Sequence, residues 1–550
     1  MNKKIMAIAV VAIMVVAGAS ILFVVLDSNR DEGPTGTVTF GMVLSSGGEH
    51  FGLQDMGTYY FHGANVYHEN LVATDENGNY YGLLAESWTT NSDASVWTFV
   101  IRDNVKWSDG IDFSADDVLF TINYILDKKP WGMNDAAFLN NLESATKGMN
   151  SEGKETVTMT MDGPFANLLL NMRCGMTILP EHIYKNVDDP MSYGDPVTEL
   201  NAAIGTGPFI VDKLDVSSRT MTLHANQNYY NGVPKTEIMR IRYYSDWNTM
   251  VLALANGECD ASLAWGSGVS ATILPEVEKY DNLKTGEYSS AAISAICFNT
   301  LREPYDNADL RVAFSYCVDY EKFVDNINSG VGSVPGKTLV PSCMKYYVDE
   351  GLLEYNIDKA KAAFDRLGYT DTDGDGYRET PSGGDFQPTL AFSASSADRA
   401  RLIQTGCRLA GIDLQLDSIS SGWGSWKRQV DGNGIRLYDM VLSGCSFLGT
   451  NSWMGYGTTF VDINGGLKDC QVNDEEFQDI ITELKSANTD AKMKSAVEDL
   501  QDYYMEEVPF IPLFENEIVT IQNAGLTGLT VDPLFGYTIC CGTLMNVCWA

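Results

Sequence analysis

An α/β chain of two or more lobes is the fold class this sequence predicts, and three observations predict it. At 550 residues the chain exceeds what one hydrophobic core usually serves. Its composition, 45% hydrophobic and 20% charged with 50 glycines, is that of an ordinary globular protein. Around residues 84–120 the local order is strand, turn and capped helix. Val96–Ile101 alternates large apolar with polar residues, Asp109-Gly110 is a tight-turn pair, and Ser114 precedes Ala115-Asp116-Asp117 and an apolar-periodic run. Carboxylates in that first turn suit the positive end of a helix.

The same reading runs along the chain. Residues 27–36 are a polar, Gly/Pro-containing linker, and 37–44 form a first strand. Residues 54–62, rich in Tyr and Gly, form a loop. A helical segment begins at 66–71, helices cover 116–126 and 136–142, and 156–161 is a strand. Gly205-Thr206-Gly207-Pro208-Phe209 makes a turn that few other residues could adopt, ahead of a strand at 210–214. Gly257 caps the end of a helix. Helices follow at 358–368 and 400–412, then strands at 438–442 and 508–514.

A formal charge of −36 argues against a nucleic-acid partner, because phosphate binding needs clustered Lys and Arg. Lys3 and Lys4 precede an uncharged apolar run from residue 5 to 26, and Asp27, Asp31 and Glu32 follow it. Twenty-two residues at about 1.5 Å each span a hydrocarbon core of roughly 30 Å. The flanking charges put the N-terminus in the cytoplasm and the rest outside. An uncleaved membrane anchor is favoured over a signal peptide cut near Ala17-Gly18-Ala19. Eleven cysteines show no repeated CxxC pattern, and an odd number leaves at least one thiol unpaired. Cys297 and Cys317 stand in apolar contexts and read as small core residues.

Several blocks carry a resemblance. They are Leu84-Ala85-Glu86-Ser87-Trp88, Trp97-Thr98-Phe99, Arg102, Val105-Lys106-Trp107, Asp109-Gly110 and Ala115-Asp116-Asp117-Val118. Later come the Gly205–Phe209 turn, Asn226 with Tyr229-Tyr230, Gly232 and Pro234-Lys235, then Cys297-Phe298-Asn299 and Pro509-Phe510-Ile511-Pro512-Leu513. In this order they closely resemble the family 5 solute-binding proteins, the peptide- and nickel-binding receptors of ABC importers, over roughly residues 37–530. Gly82 departs from the family's Pro. The resemblance implies a type II periplasmic-binding-protein fold, with two lobes closing on a cleft and an extra family-specific subdomain. Lobe I would combine residues 37–65, 205–290 and 515–550, the extra subdomain 66–204, and the C-terminal ligand-gripping lobe 291–514.

It further implies a receptor outside the cytoplasm, anchored at the cell surface by residues 1–26 or secreted if these are cleaved. Such a receptor captures oligopeptides or a related small solute and delivers it to ABC permease and ATPase subunits without catalysis. A nickel or other metal-chelate receptor is the alternative within the family, and a membrane-anchored sensor of the same fold is another. No HExxH, GxSxG or SxxK constellation points to hydrolysis, and the five histidines include no close metal-type pair.

Aromatics are the stronger ligand candidates, since they give rigid area with a polar edge. By the resemblance Trp426, Gly444 and Ser446 line the cleft, with Trp131, Met56, Tyr59 and Tyr60 facing them. Peptide receptors of the family often follow the strand with GW-x-AD. Here Gly444-Cys445-Ser446-Phe447-Leu448 lacks both the Trp and the Asp, and Leu442 stands where an Arg can occur, so the charged end-clamps are not visible. Asp371, Asp373, Asp375 and Glu379, with Gly376 sixth in the run, read as half of a calcium loop. Ser382 holds the twelfth position in place of the bidentate Glu, and a polar surface turn is the plainer alternative. No other cofactor is expected.

Overall fold

The computed structural model describes residues 35–44, 51, 53, 65–75, 79–130, 136, 138–190, 192–263, 269–445, 457, 461–465, 467–531 and 541–550. Three sheets organise them. A seven-stranded sheet runs in the order Leu283–Ser289, Glu517–Asn523, Ala261–Ser262, Thr37–Val43, Ile238–Tyr244, Thr220–Ala225 and Phe209–Asp215. Its strands come from the beginning, middle and end of the chain. Thr37–Val43 lies parallel to both Ile238–Tyr244 and Ala261–Ser262. The Asp260 carboxylate accepts the Thr39 N–H at 2.7 Å and fixes that junction.

A five-stranded sheet follows the order Gln415–Ile419, Thr389–Ser393, Met440–Cys445, Ile293–Phe298 and Phe510–Pro512. Its own core draws only on residues between 291 and 514. The third sheet, Ala85–Thr90, Val96–Ile101, Glu155–Met161 and Leu142–Met149, is antiparallel throughout. Trp97, Phe99 and Ile101 alternate into its core as the sequence pattern requires. The helix Ala115–Lys128 covers it. Ser114 accepts the Asp116 N–H, and the Asp117 carboxylate accepts the Ser114 N–H at 3.0 Å, a complete capping box.

One local expectation is corrected and another is narrowed. Residues 66–71 are not helical; they make turns leading to the strand Val72–Thr74. The Val66 and Tyr67 carbonyls, which a helix would have used, accept the N–H groups of Phe209 at 3.1 Å and Gly207 at 2.9 Å. At 136–142 the expected helix is a short 3-10 helix over the described residues 136 and 138–141, and it runs into the edge strand Leu142–Met149. The loop at 54–62 and the apolar run at 5–26 lie outside the described residues. Among the described residues no helix is long and apolar enough to cross a membrane.

The glycines of the Gly205–Phe209 turn are required by close approach. A Cβ at Gly205 would lie 1.8 Å from the Tyr67 carbonyl oxygen, and one at Gly207 would lie 2.8 Å from that of Val66. Beneath this contact Glu69 is fully buried and its Oε1 accepts the hydroxyls of Tyr229 at 2.7 Å and Tyr230 at 3.0 Å. The Arg102 guanidinium lies 5.0 Å from the centre of the Tyr230 ring. Burial pushes the Glu69 carboxyl up from 4.5 to about 7, against the opposing pull of the Tyr229, Thr206 and Tyr230 hydroxyls and the Arg102 charge. Neighbouring His68, buried with Nε2 2.9 Å from the Ile204 carbonyl oxygen, is pushed down to about 4 by burial.

Because the folded chain holds the Glu69 proton more tightly than the unfolded chain, this group's contribution is fully present below pH 4.5 and is lost as pH rises through about 7. Glu69→Gln removes that dependence, while the opposite contribution of His68 cancels between the two proteins. Urea-unfolding free energies measured across this range should converge toward or cross over in the variant's favour, with a relative change on the order of 3 kcal/mol. A pH-independent difference would refute the assignment.

Candidate functional site

Of the sequence-predicted ligand candidates, the two among the described residues, Trp426 and Gly444, both belong to the five-stranded sheet and its neighbouring helix. The strand Met440–Cys445 pairs with Ile293–Phe298 along its whole length, but with Thr389–Ser393 only at Met440 and Val441. On that second side, among the described residues, Leu442 to Cys445 have no strand partner. Exposed Gly444 lies in this stretch. Its lack of a side chain is dictated from the paired side, where a Cβ would stand 2.2 Å from the Ile293 carbonyl oxygen.

The short helix Trp423–Lys427 sits beside this strand. Spacing of three residues puts Trp423 and Trp426 on one face. Their half-buried rings stack at 5.9 Å between centroids and 10° between planes, and Trp426 continues the stack onto Tyr438 at 6.2 Å. The helix is held by a buried polar triad. Lys427 Nζ donates to Ser443 Oγ at 2.8 Å and to Asp469 Oδ2 at 2.9 Å, and Ser443 Oγ donates to the same carboxylate oxygen at 2.6 Å. Trp426 and Gly444 are therefore each one residue from a member of this triad.

Arg399 approaches from the other side. It sits in the first turn of the helix Ala397–Leu409, with Nη1 3.4 Å from the hydroxyl of Ser294, the residue paired with Gly444. Its guanidinium lies 5.8 Å from the centre of the Phe514 ring. Among the described residues it has no carboxylate partner, and burial alone draws its pKa below the ordinary value. A half-buried cation with no carboxylate partner among the described residues can receive an anionic group on a ligand.

Of the other predicted ligand residues, Met56, Tyr59, Tyr60, Trp131 and Ser446 lie outside the described residues. Trp423, Arg399 and the Lys427 triad were not singled out from the sequence. The W-x-x-W spacing was a usable signal for Trp423. Nothing in the sequence marks an arginine that lacks a counter-ion, or a triad whose members are 16 and 42 residues apart.

The acidic loop lies elsewhere. Arg378 donates to the Ala410 carbonyl at 2.7 Å, which puts the loop at the far end of the helix Ala397–Leu409 from Arg399, about 16 Å along its axis. One carboxylate oxygen from each of Asp371, Asp373, Asp375 and Glu379 falls within 4.8 Å of all the others. Asp371 accepts the N–H groups of Gly374 and Gly376 at 2.7 and 3.0 Å. Thr372 holds the Glu379 carboxyl below its ordinary value through its hydroxyl and N–H.

Similarity to known proteins agrees with this architecture. The family model for bacterial extracellular solute-binding proteins, family 5 middle, matches residues 79–460. The oligopeptide-binding protein AppA of Bacillus subtilis is 26% identical over 379 residues, 67% of this chain and 66% of that protein. The nickel-binding periplasmic protein of Escherichia coli is 24% identical over 484 residues, 86% of this chain and 87% of that protein. Among solved structures, NikA from Brucella suis in complex with Fe(III)-EDTA superposes with a TM-score of 0.76 at 19% identity, covering 94% of this chain and all of the other.

The triad makes a stability prediction. Lys427→Met should strand the fully buried Asp469 carboxylate and cost about 3–5 kcal/mol in chemical denaturation. A loss below about 1 kcal/mol, the range of exposed pairs, would show that the triad does not hold the helix.

Proposed function

This chain belongs to family 5 of the bacterial extracellular solute-binding proteins, and we propose that it is a receptor for short peptides or a related carboxylate-bearing solute. The observation that carries this reading is the Arg399 guanidinium, which has no carboxylate partner among the described residues and lies against Ser294, the residue paired with Gly444; the strand Met440–Cys445 is only half paired on its other side, and the Trp423–Trp426–Tyr438 stack stands on the helix linked to it through Ser443. An extended peptide adds main-chain hydrogen bonds to such an edge, aromatic faces cover its side chains, and the guanidinium takes its carboxylate. Met56, Tyr59, Tyr60, Trp131 and Ser446 complete the binding surface in this reading.

The three sheets with their separate cores support a division into lobe I (37–65, 205–290 and 515–550), an extra subdomain (66–204) and a gripping lobe (291–514). The lobes close on the solute by hinge motion, and binding shifts the open–closed equilibrium without breaking a bond. The closed receptor then delivers its load to an ABC permease driven by its ATPase. In this reading residues 1–26 anchor the protein to the outer face of the cytoplasmic membrane. A carboxylate-rich metal chelate is the second reading, because Arg399 suits that anion equally well.

Calorimetric titration with short peptides, their C-terminally amidated counterparts and a nickel–histidine chelate separates the two. Arg399→Gln should weaken a free-carboxylate peptide by about tenfold to a hundredfold and leave the amidated one nearly unchanged. Equal affinities in variant and wild type would remove Arg399 from the site. Failure of any solute in a broad library to compact the protein in X-ray scattering would sink the receptor reading.

We further propose that Asp371, Asp373, Asp375 and Glu379 bind a structural calcium ion, which would relieve the repulsion of four carboxylates held together. Thermal stability should then rise with added calcium and fall with chelator, and Asp373→Asn with Asp375→Asn should abolish both responses. An unchanged melting temperature with millimolar calcium would leave the loop as a polar turn.

A further inference from the structure

Four buried thiols stand in two pairs that the candidate site does not use. Cys297 lies in the strand Ile293–Phe298 and Cys470 in the loop before the helix Glu475–Ser486; both are fully buried, and the two thiols are close enough to influence each other. Cys317 follows the helix Ala308–Ser315 and Cys407 lies in the helix Ala397–Leu409; these too are buried, with the two thiols close enough to influence each other.

Backbone packing enforces both meetings. The helix Ala397–Leu409 passes so close to the chain at Cys317 that a Cβ on Gly406 would lie 1.8 Å from the Cys317 carbonyl oxygen. The residue after that glycine is Cys407. At the other pair Thr300 gives both its N–H and its hydroxyl to the Cys470 carbonyl, each at 3.1 Å. This pins the Cys470 loop against the end of the strand that carries Cys297.

We propose that Cys297–Cys470 and Cys317–Cys407 close into two disulfides when the chain folds outside the cytoplasm. Family 5 proteins are extracellular, and such compartments let disulfides form and persist. In each closure two S–H bonds are lost and one S–S bond forms. The two electrons and two protons pass to the disulfide of an oxidised thiol-exchange partner, which leaves as two thiols.

Burial, followed by the Cys470 contact, raises the Cys297 thiol; the Cys407 contact, followed by burial, raises that of Cys317. The attacking thiolate is therefore scarce in the folded protein, and closure belongs to folding rather than to the finished receptor. Both bridges lie inside one core, between residues 291 and 514, so neither restrains one sheet against another. The Cys297–Cys470 bridge adjoins Asp469, the carboxylate that carries Lys427 and Ser443, and so secures the floor of the candidate site.

The test is disulfide mapping of the full chain, exported into an oxidising compartment and purified without reductant. Free thiols are alkylated in denaturant, and the digest is read by mass spectrometry. The expected result is two cross-linked peptides, one joining residues 297 and 470 and one joining 317 and 407, each lighter by two hydrogens than its reduced pair. Cys317→Ser with Cys407→Ser should abolish one cross-link and keep the other. Alkylation of these four cysteines, or their bridging to other cysteines, would overturn the proposal. So would rapid closure when oxidised glutathione is added to protein already folded in reductant, since that would detach closure from folding.

Discussion

The structure turns on a place where two stretches of backbone meet with no side chain between them. Gly205 and Gly207 lie directly on Val66 and Tyr67, and the hydrogen bonds made there join the chain leading to the antiparallel sheet with the turn that returns it to the seven-stranded sheet. The contact leaves no room for a methyl group, so its geometry is fixed within a few tenths of an ångström. Beneath it Glu69, Tyr229 and Tyr230 tie two distant segments together in a buried polar knot. Positions of the strands on either side follow from this contact.

Legibility of the fold in the sequence depended on the reach of the controlling interaction. The Ser114 cap was readable because its partners Asp116 and Asp117 lie within three residues. The inward alternation of Trp97, Phe99 and Ile101 was readable because a strand's faces repeat every second residue. Residues 66–71 carry a helix-like pattern but do not form a helix, because the Val66 and Tyr67 carbonyls are claimed by residues 209 and 207, and no local pattern announces a partner so far along the chain.

The candidate site divides in the same way. Trp426 and Gly444 were found by resemblance, yet the resemblance gave only half the reason for the glycine, which the Ile293 carbonyl also demands. The charged end-clamps were judged absent from the strand itself. A cation is present nearby, but it comes from a different element, as Arg399 on the helix Ala397–Leu409. What qualifies Arg399 is the lack of a carboxylate around it among the described residues, a property of space that a linear sequence does not contain. In a chain of formal charge −36 an uncompensated cation at this position is conspicuous.

The half-open strand Met440–Cys445 has a consequence for the empty protein. An unpaired strand edge is a template for any extended chain, including the same edge on a second molecule. A receptor that keeps such an edge ready must also keep its own copies apart, and a formal charge of −36 supplies mutual repulsion. That repulsion acts over roughly 10 Å at 0.1 M salt and shrinks to about 3 Å at 1 M. Solubility is thus coupled to ionic strength: the acidic surface that looks unspecific in composition also keeps a half-paired strand from meeting its copy on a second molecule.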